Sequence, residues 1–198
     1  LGAVQGEVIK RAGIDAGSVD NVIAGCVQQI GEQSLNIGRN AWLQAGLPIE
    51  VPATTIDLQC GSSQHATNLG SGLVASGADD VVVSCGVEHM GHIPFGIGLM
   101  HPDETGVPFT DELMARFDLI PQGLSSEMIA AKWEIPRSEL DEMGLRSQQL
   151  AAQATEEGRF DREIMPFQVN GDTIATDQGI RETSLEALAG LKPAFKPD

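Results

Sequence analysis

Basic residues are scarce in this chain: 12 Lys and Arg stand against 28 Asp and Glu, a formal net charge of -16 at pH 7. Such a surface repels nucleic acid and anionic membrane, which want clustered Lys and Arg, so both partner classes are set aside. Cysteine is sparse too. Cys26, Cys60 and Cys85 are an odd number with no Cys-x-x-Cys pair. That argues against a zinc framework or disulfide scaffold, and a reducing compartment is the simplest reading. No apolar run approaches the length of a membrane span, and no secretory leader is visible. No Gly-x-Gly-x-x-Gly or Walker pattern occurs, so nucleotide-driven chemistry has no support. Tyrosine is absent and aromatics are only 4%, whereas 23 glycines point to turns and close backbone packing. The hydrophobic fraction, 41% over 198 residues, suits one good core with an appended subdomain. The chain starts at Leu1 inside a helical pattern and ends at Lys196-Pro197-Asp198 with no closing element. We expect a fragment cut at both ends, and a cytoplasmic location.

Periodicity organises the rest. Val4, Val8 and Ile9 predict a helix over 1–12 that Gly13 stops. Val19 to Val27 reads as a strand, and Ser34 to Ala45 as a helix with Leu35, Ile37 or Gly38, Ala41, Trp42 and Ala45 inward. Val51 to Leu58 is a second strand. A helix follows over 61–76, with Ala66, Leu69, Leu73 and Val74 as its stripe. Its interior Gly70 and Gly72 make sense if another backbone packs very close. Asp80 to Val87 is a continuous apolar run of the kind buried on both faces. The alternation implies an α/β fold with a mostly parallel sheet. After Met90 the pattern changes: 92–118 shows no period, and helices are expected over 125–133, 136–158 and 185–191, with a strand over 164–169. We therefore expect two parts, an α/β core over 1–90 and a helical lid-like part over 91–198.

Cys60 is the most informative residue. It falls where the apolar strand ending at Leu58 turns, through Gly61-Ser62-Ser63, into a helix. A helix start aims N–H groups and a positive dipole end at the sulfur, which favours the reactive thiolate. The Cys60 backbone N–H could also donate to an oxyanion. Position alone leaves two readings open, a nucleophile or a small buried core cysteine. Cys26 and Cys85 read as structural thiols in strands, and His65 as structural. His89 and His92 follow a strand end, where open α/β sheets place their sites, although a solvated loop is the plainer reading. Their spacing would allow a metal pair, but no third ligand is evident and none is assigned.

Around these residues the sequence resembles the thiolase family. Asp57-Leu58-Gln59-Cys60-Gly61-Ser62-Ser63-Gln64 is similar to its nucleophile motif, and Gly86-Val87-Glu88-His89-Met90 to its Gly-Val-Glu-x-Met element. Further matches run in family order: Arg11-Ala12-Gly13-Ile14, Gly31-Glu32-Gln33, Asn36-Ile37-Gly38-Arg39-Asn40, Glu157-Gly158-Arg159-Phe160 and Leu191-Lys192-Pro193-Ala194-Phe195. The resemblance implies the N-terminal βαβαβ-type half of a layered α/β fold, with an inserted helical loop domain over the coenzyme A site. It implies acyl transfer between coenzyme A and a 3-ketoacyl-CoA, or the reverse Claisen condensation, through an S-acyl Cys60. It also implies coenzyme A as substrate, no permanently bound cofactor, and a homodimer or homotetramer. The family's second half supplies the activating His and a second Cys, which have no match here, so the chain alone is expected to lack turnover. Arg181 falls where the family has an Arg near the coenzyme phosphates. Pro121-Gln122-Gly123 stands where many members have His-Met-Gly, which makes Gln122 a coenzyme candidate. Asp57 stands where many have Asn. The alternatives are a ketoacyl-synthase-type condensing enzyme and a degenerate, non-catalytic coenzyme A-binding protein.

Overall fold

Gly13 ends the first helix in a left-handed conformation (φ 69), its N–H capping the last turn of α1 (Gly2–Ala12). The buried face of α1 is nevertheless not the expected one. Gln5 and Ile9 point inward, while Val4 and Val8 are exposed. The Gln5 amide N–H donates to Gly38 O of helix α2 (Ile37–Gln44) at 3.1 Å, while its Oε1 is buried without a partner among the described residues. This computed structural model describes residues 1–196, except the side chain of residue 105. The chain end at Pro197-Asp198 lies outside the described residues.

Three parallel strands follow: β1 (Asn21–Gly25), β2 (Ala53–Ile56) and β3 (Val82–Gly86), in the order β2-β1-β3. Between β2 and β3 runs α3 (Ser62–Ser76). Alternate residues of β1 show which helix covers which face. A Cβ on Gly38 of α2 would collide with Ala24, and a Cβ on Gly25 would meet the Ser63 N of α3 at 2.5 Å. Since neighbouring strand residues point to opposite faces, α2 and α3 cover opposite sides of the sheet. The β2 to β3 connection crosses over β1, in keeping with βαβ geometry.

Burial by two helix layers belongs to β1, not to the run over 80–87. Val22 to Gly25 are buried, whereas β3 lies at the sheet edge with Ser84 exposed. The core, Ile9, Val19, Val22, Trp42, Val51 and Val83, gathers on the α1–α2 side. On the α3 side small residues let backbones approach. Ser62, Ala66 and Gly70 are the buried positions, and Leu69 and Val74 of the expected stripe are exposed. Gly70 is tightly packed, but by side chains rather than the expected backbone: a Cβ there would stand 2.8 Å from Ser84 Oγ and 3.0 Å from Val82 Cγ1. Gly72 meets nothing within 4 Å. Leu35, expected inward, is 88% exposed, since Asn36 takes the N-cap position and its carbonyl side chain accepts from Arg39 N–H.

The chain divides into two units, 1–108 and 109–198. Residues 92–118 are less irregular than their composition suggests. They hold α4 (Pro102–Thr105) and α5 (Asp111–Arg116), too short to show a period, with Pro102 in the first turn and Thr110 capping Leu113 N–H. The second unit continues with α6 (Gln122–Lys132), α7 (Arg137–Glu156) and α8 (Leu185–Ala189). The strand expected near 164–169 is half of a hairpin: β4 (Phe167–Val169) pairs antiparallel with β5 (Asp172–Ile174). Asn170 and Gly171 form the turn with positive φ, 52 and 94. No helix among the described residues is long and apolar enough to cross a membrane.

Candidate active site

Cys60 occupies the sharp turn between β2 and α3, one residue before the Gly61 cap of the helix. Asp57 Oδ1 accepts from Gln59 N–H at 2.7 Å, and Gln59 adopts a left-handed backbone, φ 50. The buried Ser62 hydroxyl closes the turn from the other side. It accepts from Leu58 N–H at 2.9 Å and donates to Gln59 O at 2.6 Å. Gly61 N–H and Ser62 N–H are spent on Leu58 O and Gln59 O. Cys60 itself forms an isolated parallel bridge with Leu58. Its thiol is exposed. The alternative of a core cysteine is therefore overturned at this position.

The sulfur's residue opens on a cavity of about 420 Å³. The walls are Gly25, Cys26 and Val27 from the end of β1, Gly86, Val87 and Glu88 from the end of β3, and the turn itself, with Met90 and Phe95 at its side. This is the carboxyl edge of the sheet, where open α/β folds usually place their sites. Gly25 and Gly86 are obligatory there. A Cβ on either would run into Ser63, so only glycines let the start of α3 sit this close to both strand ends.

Glu88 fastens those strand ends together. Its carboxylate accepts from Val27 N–H at 2.9 Å, Gln28 N–H at 3.2 Å and the Gln33 amide at 2.9 Å. Gln33 is buried and also accepts His89 N–H at 2.6 Å. Neither Glu88 nor Gln33 was assigned a role from sequence. The signal available was an acid two residues past a strand end and a glutamine two residues after Gly31.

Cys26 shares the cavity wall but differs from Cys60. It is buried, and burial first, then the charges of Glu88 and Asp57, push its thiol up to about 11. Cys85 is half-buried, accepts from the Gln5 amide at 3.6 Å, and is likewise raised, chiefly by burial. Both fit the structural reading. His65 lies on α3 away from the cavity lining. His89 and His92 stand beside the cavity rather than in its lining, and both rings approach Glu32, a group their spacing did not reveal.

In the second unit Arg181 lines a separate cavity of about 480 Å³ with Gln148, Gln149 and Glu156 of α7, and its N–H donates to Gln148 Oε1 at 3.0 Å. Gln122 begins α6, is exposed, and does not line that cavity. The structure thus does not bring Arg181 and Gln122 to one cavity.

A family profile described as "Thiolase, N-terminal domain" matches residues 1–198. The chain is 40% identical over 194 residues to a steroid 3-ketoacyl-CoA thiolase of Mycobacterium tuberculosis, covering 94% of this chain and 47% of that protein. It is 39% identical over 200 residues to a 3-ketoacyl-CoA thiolase of Saccharophagus degradans, with 98% and 50% covered. An acetyl-CoA acetyltransferase of Syntrophomonas wolfei is 40% identical over 210 residues, with 99% and 53% covered. The chain spans about half the length of these curated relatives.

Proposed function

The chain belongs to the thiolase family, and on that premise we propose that it carries the nucleophile of an acyl-CoA acyltransferase. Cys60 is that nucleophile. Its thiolate attacks the carbonyl of a 3-ketoacyl-CoA, the Cα–Cβ bond breaks, and acetyl-CoA leaves after taking up a proton. The acyl group stays on sulfur until the thiol of a second coenzyme A attacks the thioester, which restores Cys60. The Cys60 N–H, at the start of α3, donates to the oxygen that becomes negative in each attack. The observation that supports this reading best is an exposed thiol held at the mouth of a cavity, beside a second thiol that burial keeps protonated.

The remaining assignments follow the family. Coenzyme A is the substrate, Arg181 and Gln122 are its candidate contacts, residues 91–198 act as the loop domain, and the working assembly is a homodimer or homotetramer. Location in the cytoplasm completes this reading.

The test is chemical. Dilute iodoacetamide at neutral pH, followed by peptide mass mapping, should label Cys60 well before Cys26 and Cys85. Acetyl-CoA or acetoacetyl-CoA should protect it and leave one acyl group on the Cys60 peptide. Equal, slow labelling of all three thiols, with no acyl adduct, would overturn the proposal in favour of a non-catalytic protein of the same fold.

A further inference from the structure

We infer that Glu32, His89 and His92 form a divalent transition-metal site, suited to zinc, on the rim beside the Cys60 cavity. Glu32 Oε1 lies 3.0 Å from His89 Nδ1 and 2.8 Å from His92 Nδ1. One donor atom from each residue falls within 4.8 Å of the other two. Tetrahedral zinc with nitrogen and oxygen ligands at about 2.0–2.1 Å separates its ligand atoms by about 3.3 Å, so small side-chain rotations complete three corners. Two imidazoles and a carboxylate are the borderline donor set that zinc takes in sites that leave a fourth position to water. Binding exchanges the two Nδ1···Oε1 hydrogen bonds for bonds to the ion: each ring gives up its Nδ1 proton, stays neutral with its proton on Nε2, and turns the freed Nδ1 lone pair inward.

The site is built by groups other than the ligands. Glu32 sits in a single 3₁₀ turn (Gly31–Gln33) whose next residue, Gln33, is buried and accepts His89 N–H at 2.6 Å. Gln33 and the carboxylate of Glu88 anchor that turn to the ends of β1 and β3. His92 is fixed one turn on, its N–H bonded to His89 O at 3.0 Å, and Ile93 buries the end of the loop. The rings meet edge to face, centroids 5.6 Å apart, and stay open to solvent, which gives an ion its entry path. Glu88 and Met90, on either side of His89, line the Cys60 cavity. A bound ion would hold that wall to the 31–33 turn. None of this depends on what Cys60 does.

The experiment titrates zinc chloride into the whole 198-residue chain, wild type and Cys60→Ser, by calorimetry and by thermal melting, with cobalt(II) absorption as a second readout. One equivalent should bind in both, and the melting temperature should rise with zinc concentration. His89→Ala, His92→Ala and Glu32→Gln should each weaken binding on the order of tenfold or more. His65→Ala should leave it unchanged. Wild-type cobalt should show ligand-field bands without a thiolate charge-transfer band, a readout independent of how the variants fold. Absence of saturable binding, binding that survives loss of either His, or a thiolate band lost in Cys60→Ser would each overturn the site.

Discussion

The two tryptophans of this chain live in opposite surroundings. Trp42 is 0% exposed in the first unit, and its indole N–H donates to Pro48 O at 2.8 Å. Trp133 is 61% exposed in the second, with Lys132 Nζ 4.8 Å above its ring. The contrast holds generally. The first unit has a core under a twisted parallel sheet, whereas residues 109–196 contain no buried side chain. In the second unit order comes from hydrogen bonds at element ends, such as Arg137 to Leu188 O at 2.6 Å, and from the β4–β5 hairpin. A packed layer holds a reacting atom in place. A helical layer without a core adapts more readily to what it meets. The cavity with Cys60 therefore sits where geometry is fixed.

Three measurements probe this contrast. Trp42→Ala should cost about 3–5 kcal/mol in urea denaturation, and Trp133→Ala within about 0.5 kcal/mol, because only the first opens a core cavity. Similar values would abolish the distinction between the units. Gly86→Ala comes next. Its Cβ would strike Ser63 and stand 2.9 Å from Gly25 O, an overpacking of about 1–3 kcal/mol that pushes the start of α3 off the sheet. Labelling of Cys60 by iodoacetamide should slow in this variant, while the equivalent change at the open Gly72 leaves it unaltered. The smallest effect is on pH dependence. Cys26 keeps its proton to about 11 in the folded chain, against an ordinary 9.0. Its contribution is full below pH 9 and fades as pH climbs through 11, since the unfolded chain ionises first. Cys26→Ala should flatten that part of the stability profile, and Trp133→Ala should not.

Much of the first unit was legible. Strand–helix alternation, the stop at Gly13 and the placement of Cys60 at a strand-to-helix turn all follow from period and punctuation. Which strand lies in the middle was not legible, because strand order is decided by crossover geometry. Val81-Val82-Val83 looked central and is an edge, while Val22-Ile23-Ala24 is the buried strand. Side-chain pairing across distance was hidden as well. Gln5 reads as a surface residue of α1 until Gly38 O is beside it. Glu32 gains meaning only when 57 residues of chain bring His89 back to it. The hairpin at Asn170-Gly171 carried a readable signal, the Asn-Gly turn, obscured by strands of only three residues.

Position 59 has a consequence for how this surface can change. A side chain in the left-handed region costs on the order of 1 kcal/mol, a penalty glycine would escape. The glutamine stays there because Asp57 and Ser62 grip the peptide on either side of it. Loosening either grip lets the backbone relax to the common region, and the peptide that leads into Cys60 would rotate with it. Residues around the turn thus govern where the Cys60 sulfur stands, and a harmless-looking exchange such as Asp57→Ala should change its rate of alkylation by rotating a peptide.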